Sequence, residues 1–176
     1  MRADTHLTGI QTEFARNLLI VSKTDPNGVI TYANHGFCEV ACYRMEELLG
    51  RPHSIVRHPD MPRTAFSVMW ETLKSGQEFF AYVVNRAANG NHYWVFAHVV
   101  PDVDPRSGAI LGYHSARRWA DPQACERAMA VYQVLLDVER REPTPRRAVE
   151  AGRAALATIL NDAGHTYEKW VFSLAE

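Results

Sequence analysis

Residues 79–100, FFAYVVNRAANGNHYWVFAHVV, limit what this chain can fold into more than any other stretch. Two strand-length runs rich in β-branched and aromatic residues flank Asn89-Gly90-Asn91. An Asn-Gly pair supplies the positive φ angles that a tight hairpin turn needs. Residues 79–86 and 92–100 are therefore paired antiparallel strands, and they require a sheet. Turn residues over 101–108 and a further run over 109–119 add a third strand. Upstream, 18–22 (LLIVS) and 29–33 (VITYA) flank Asp25-Pro26-Asn27-Gly28, a turn signal, and read as a second hairpin. Between the two groups the period changes. Phe37, Val40 and Ala41 recur at helical spacing, and MEELLG closes a short helix at Gly50. Pro62 opens another helix with the stripe Ala65, Phe66, Met69, Trp70 and Leu73, closed by Gly76. Two strands, several helices, then three strands predict an α+β fold, an antiparallel sheet with helices on one face.

The remainder reads as helical. Asp121-Pro122 is an N-cap followed by proline, and residues 125–141 carry apolar side chains at 128, 131, 135 and 138. EPTP breaks that helix, Thr144 caps a second over 145–164, and a third covers 166–174. The chain divides into an N-terminal cap segment (1–17), the sheet domain (18–119) and a C-terminal helical extension (120–176).

Composition narrows the function classes. The 176 residues carry a net charge of −1, which argues against a non-specific nucleic-acid binder. No apolar run is long enough to span a bilayer, and the polar N-terminus has no secretory apolar core, so a cytoplasmic protein is expected. Met1 reads as a natural start. Cys38, Cys42 and Cys125 have no CxxC spacing and read as small core residues, with a metal or redox pair as the alternative. There is no Gly-rich phosphate loop, nucleophile motif or HExxH, so no enzyme is expected, with no catalytic residue and no metal site.

The interval GRPHSIVRHPDMP, residues 50–62, concentrates charge and stiffness between apolar runs. Pro59 and Pro62 restrict the backbone that carries Arg57, His58 and Asp60. A local Arg57–Asp60 ion pair in a stiff connector is one reading. Strand alternation puts Phe79, Ala81, Val83 and Asn85 on one face, and Tyr93, Val95, Ala97 and Val99 on one face of the next strand. The first set, an aromatic, small apolar groups and one amide, suits a flat ring with one polar edge, and the second face is assigned to the same pocket.

Taken in order, TDPNGVITYAN, RHPDMP, AFSVMWETLKSG, NRAANGNHYWVFAHVVP and GAILGYHSAR resemble a PAS domain, and within that family the sensor domain of bacterial aerotaxis receptors. The resemblance covers roughly residues 15–119. It implies the PAS fold, a five-stranded antiparallel sheet with a pocket between sheet and helices, and FAD held non-covalently as a redox or oxygen sensor. Arg57, His58 and Asp60 match the family's FAD motif. Arg57 and His58 would meet the phosphates, and Asp60 would orient Arg57 or bond a ribose hydroxyl. Asn34, Phe66 and Asn85 match other flavin-linked positions. Asn34 reads equally as a helix N-cap, Phe66 as core and Asn85 as a strand-end residue. Ser115 and Arg117 share a face of the final strand and reach toward the pocket.

Phe79 departs from the family, which has tryptophan there, and it loses area and the indole N–H. A cysteine–flavin photoadduct is not expected, because no cysteine follows Gly50-Arg51. Haem is a further ligand of the family, with His53, His58, His92 and His98 as candidates. The alternative function is a cofactor-free or haem-binding PAS module for protein–protein interaction or dimerisation. A homodimer that passes its signal to a signalling protein is expected, with the helices of 121–176 as the output surface.

Overall fold

Five strands form one antiparallel sheet in the order β2-β1-β5-β4-β3. They are β1 Ile20–Thr24, β2 Ile30–Ala33, β3 Phe79–Arg86, β4 His92–Val103 and β5 Ile110–Trp119. The structure is a computed structural model and describes residues 6–176, so the first five residues of the expected N-terminal cap lie outside the described residues. Between β2 and β3 come α1 His35–Ala41, α2 Met45–Leu48, a 3-10 turn His53–Val56 and α3 Arg63–Lys74. After β5 come α4 Pro122–Arg140, α5 Pro145–Asp162 and α6 Tyr167–Ser173.

Of the boundaries that differ from the sequence reading, two have a clear local reason. β1 begins at Ile20, where the Asn34 amide holds the backbone on either side. Its Nδ2 donates to the Leu19 carbonyl at 2.7 Å, and its Oδ1 accepts from Val21 N–H at 2.9 Å. β4 runs on through Pro101 to Val103. Its pairing with β3 ends at Phe79↔Val99, so beyond that point one side of β4 has no strand partner and proline's missing N–H costs no ladder bond.

The C-terminal helices return onto the sheet domain at β3. As the last strand of the sheet, β3 has a free edge that needs cover. Near one end the backbone of Arg57 bridges to Asn85, and further along the Tyr132 hydroxyl donates to the Tyr82 carbonyl at 2.7 Å. Tyr82 and Val84 share a core with Tyr132, Leu135, Trp170, Val171 and Leu174. The buried face of α4 therefore turns toward Tyr132, Leu136 and Glu139 rather than Val131 and Val138. A count of apolar residues alone misses two polar-tipped side chains that are buried because each has a partner.

Glu139 is the second attachment. Pro62 gives α3 no side-chain cap. The Glu139 carboxylate fills that place from a distant helix, accepting from Arg63 N–H at 3.0 Å, Thr64 N–H at 2.8 Å and Thr64 Oγ1 at 2.8 Å. A carboxylate on a helix N-terminus satisfies donors and complements the helix dipole. α5 closes over the same point, where a Cβ on Gly152 would run into Thr64 Oγ1.

Glu139→Ala should lower unfolding stability by about 2–4 kcal/mol, since it orphans buried donors. Glu139→Gln keeps one acceptor and should lose less. Urea denaturation of the full chain measures both, and equal stability of Glu139→Ala and the parent would remove the cap from the account.

Candidate functional site

A cavity of about 210 Å³ lies between the sheet and the helices. Its floor is Phe79, Ala81 and Val83 from β3, Ala97 and Val99 from β4, and Tyr113, Ser115 and Arg117 from β5. His53, Ser54, Arg57, Phe66, Met69 and Trp70 close it from the helical side. The reason for the space is in the register. Ala81 faces Ala97 across the β3–β4 pair, so two methyl groups stand where larger side chains would fill the gap. The walls are apolar and partly aromatic, and Trp70 meets Tyr113 edge-on at 5.2 Å. Phe79 has a double position, lining the cavity while its ring stacks on Tyr167 of α6 at 5.2 Å and 14°.

Of the seven sequence-predicted site residues, Arg57, Phe66 and Phe79 line this cavity. The Arg57 guanidinium lies 4.5 Å over the Phe66 ring, and its Nη2 donates to the Met61 carbonyl at 3.2 Å. His58 and Asp60 face each other instead. Asp60 N–H donates to His58 Nδ1 at 3.2 Å, with the Asp60 carboxylate 3.6 Å away. They fix the loop that presents Arg57, and burial pushes the His58 imidazole below its usual pKa. Asn34 caps α1, with Oδ1 accepting from Phe37 N–H at 3.0 Å, in addition to its contacts with β1. Asn85 is buried opposite Tyr93, in backbone contact with Arg57, just past the end of the cavity. Tyr93 and Val95, also expected to line the pocket, belong to the core under α1 with Phe37 and Ile20.

The polar centre of the cavity is one that residue-by-residue reading did not assemble. Arg117 is 3% exposed. Its Nη2 donates to Ser22 Oγ at 2.6 Å and its guanidinium lies 4.3 Å over the Phe37 ring. Nε and Nη1 are buried with no hydrogen-bond partner among the described residues. Burial pushes its pKa down to about 10, so it remains a cation at neutral pH. Ser22 Oγ also meets His53 Nε2 at 3.0 Å, and the His53 ring stacks on Phe37 at 5.6 Å. Burial, and then the Arg117 charge, push His53 down to about 3, although the residue as a whole keeps some solvent contact. The imidazole is thus neutral, and the cluster keeps one uncompensated positive charge. A buried charge of that kind costs several kcal/mol unless something pairs with it.

A second cavity of about 350 Å³ lies between the N-terminal segment and α4, lined by Phe14, Trp94, Trp119, Cys125 and Met129 among others. None of the seven predicted site residues reaches it. Among the described residues no group of three or more His, Cys, Asp or Glu side chains is placed to hold a metal, and the three cysteines are free.

A family model described as the PAS fold matches residues 30–117. The chain belongs to the PAS family. The match spans β2 to most of β5, the part that carries most of the cavity lining. Among curated proteins, this PAS chain is 42% identical over 135 residues to the aerotaxis receptor of Escherichia coli (strain K12), covering 77% of this chain and 26% of the receptor. It is 31% identical over 98 residues to the nitrogen fixation regulatory protein of Klebsiella pneumoniae, covering 56% of this chain and 20% of that protein. The chain thus spans about a quarter or less of the length of these relatives. Among solved structures, the dark structure of the blue-light photoreceptor Aureochrome1 LOV superposes with a TM-score of 0.57 at 19% identity, covering 65% of this chain and 85% of that one. That likeness is one of fold. No helix among the described residues is long and apolar enough to cross a membrane.

His53 gives the site a pH signature. Its folded pKa lies below the unfolded value of roughly 6.5, so the unfolded chain binds the extra proton. The associated stability is complete above about pH 6.5 and is lost as pH falls toward about 3. Thermal unfolding of the parent should therefore decline more steeply from pH 7 to pH 5 than that of His53→Gln. Parallel declines would show that His53 titrates normally.

Proposed function

We propose that this chain is a flavin-binding sensor that holds FAD and reports redox state or oxygen in signal transduction, in aerotaxis or energy taxis. The observation that carries the reading is a largely apolar cavity with unpaired donors of a buried arginine at its floor and a second arginine beside Phe66 in its wall. The 42% identity to an aerotaxis receptor supports it. A flavin is a flat ring system with an accepting pyrimidine edge and, in FAD, a pyrophosphate tail.

The residues fit that shape. Phe66, Phe79, Ala81, Val83, Ala97 and Val99 would enclose the ring. Arg57, less buried than Arg117 and steadied by Phe66, would take the pyrophosphate. His58 and Asp60 would hold the Arg57 loop, Asn85 would serve the ring's polar edge, and Asn34 would secure the start of α1. Bound flavin would supply reversible electron transfer, with a change of charge at the ring. Phe79 would then pass a shift of the ring to Tyr167, and so to α6, without an intermediary. In this reading the protein acts in the cytoplasm as a homodimer and signals to a protein partner through the C-terminal helices.

Reconstitution followed by absorption spectroscopy tests the cofactor. A flavin spectrum is expected. A colourless product would favour the cofactor-free interaction module, and a Soret band the haem variant. Arg57→Ala should weaken FAD binding by about 1.5–3 kcal/mol, the worth of a charge-assisted bond, and leave FMN much less affected. Equal loss of both would make Arg57 a folding residue.

Output is tested on the full chain by limited proteolysis of the α5–α6 connection around Gly164. Cleavage should differ between oxidised and reduced protein, and Tyr167→Ala should abolish the difference. A difference that survives in the variant would mean the signal leaves by another route.

A further inference from the structure

We propose that the cavity between the N-terminal segment and α4 is a binding site for a small organic cation, a quaternary or alkyl-substituted ammonium. This cavity shares no lining residue with the sheet–helix cavity, and the proposal is independent of the flavin reading.

The walls come first. Phe14, Trp94, Trp119 and Met129 are half-buried and line about 350 Å³ of space. Indole and phenyl rings present electron-rich faces, and a thioether is polarizable. These side chains are held from behind. Phe14 packs on the core under α1, and Trp94 and Met129 pack on the core shared with the C-terminal helices. The backbone of the N-terminal segment is tied to β4. Thr12 N–H donates to the His92 carbonyl at 2.7 Å, and His92 N–H donates to the Ile10 carbonyl at 3.0 Å. The space is therefore preformed, which spares a ligand the cost of ordering its site. Trp119 already holds a cation, since the Arg16 guanidinium lies 4.2 Å over its ring although Arg16 is not a lining residue.

The sign of the charge comes next. Glu13 and Glu126 line the cavity, and Asp121 caps α4 beside it. A helix N-terminus ordinarily favours an anion, but here the Asp121 carboxylate accepts from Gln123 N–H at 2.9 Å and Ala124 N–H at 3.1 Å. Cys125, in the same wall, registers the field. Burial, then the charges of Asp121, Glu126 and Glu13, push its thiol up to about 12. Against these acids stands Arg16 on Trp119, while Arg127 donates to the Leu174 carbonyl at 2.8 Å. An anion would meet three carboxylates. A metal ion would lack ligands, because no group of three or more His, Cys, Asp or Glu among the described residues is placed to hold one. A neutral hydrocarbon would use the rings and ignore the acids. A substituted ammonium uses both. Its alkyl shell packs on the rings, and the charge spread over that shell is drawn to the ring faces and the carboxylates without needing a direct hydrogen bond.

Choline and 3,3-dimethyl-1-butanol separate shape from charge, since the alcohol replaces the quaternary nitrogen by carbon and keeps the outline. Each is titrated into the full chain, and the Met129 methyl resonance is followed by NMR together with tryptophan fluorescence. Choline should give a saturable Met129 shift, and the alcohol should bind roughly three- to thirtyfold more weakly, the worth of a cation–π contact. Trp94→Leu should bring choline close to the alcohol. Glu126→Gln removes an exposed charge with little risk to the fold, and should weaken choline a few-fold while leaving the alcohol unchanged. Arg57→Ala, in the other cavity, should bind choline like the parent. Equal affinity for choline and the alcohol would make the cavity an apolar groove without charge selection and overturn the proposal. The absence of any saturable shift at Met129 would overturn it as well, leaving the space a packing gap.

Discussion

The edge strand β3 is the constraint on which the rest of this structure depends. An exposed strand edge with apolar residues on both faces invites pairing with other chains, and each of its three aspects here is covered by a different part of the sequence. One face is the cavity floor, from Phe79 to Val83. The other, at Tyr82 and Val84, is core shared with the C-terminal helices. The free edge is divided between the Arg57 backbone at Asn85 and the Tyr132 hydroxyl at Tyr82. Site, charged motif and helical extension therefore meet on eight residues. Phe79 lines the cavity and its ring stacks on Tyr167, so the cavity wall and α6 are in direct contact. No long pathway is required, because the site and the extension share a wall.

The same economy appears at α3. Its first turn follows the proline-stiffened motif, its middle carries Phe66, Met69 and Trp70 into the cavity, and its N-terminal donors are satisfied by Glu139 of α4. The helix that forms the lid is thereby capped by the extension it would have to inform. Such a link makes the extension a structural part of the domain.

Much of this was legible in the sequence. The Asn89-Gly90 turn fixed the β3–β4 hairpin, and strand alternation put Phe79, Ala81, Val83, Ala97 and Val99 on one face, the face that lines the cavity. The α4 and α5 caps at Asp121 and Thr144 were equally readable, since they depend on neighbours in sequence. What was not legible is long-range satisfaction. Asn34 reads as a flavin residue or an N-cap, and only the approach of Leu19 and Val21 shows how fully its amide is engaged. Glu139 looks like an ordinary surface acid until Thr64, far away in the chain, is placed beside it. His58 and Asp60 share a motif with Arg57, but the turn after residue 57 directs them toward each other. Arg117 could be placed on the pocket side of β5 by alternation. That it is buried without an acid depends on Ser22, His53, Phe37 and Tyr93 converging from four other elements or turns.

The central claim is that the sheet–helix cavity, rather than the groove beside α4, receives a flavin. Methyl-resolved NMR with FAD added to the apoprotein tests it most directly. The account expects the largest shifts, and ring-current signs consistent with a flat ring above them, at the methyl groups of Ala81, Val83, Ala97 and Val99, with Met129 in the α4 groove unmoved. Shifts confined to Met129 and its neighbours, with the four cavity residues unchanged, would contradict it.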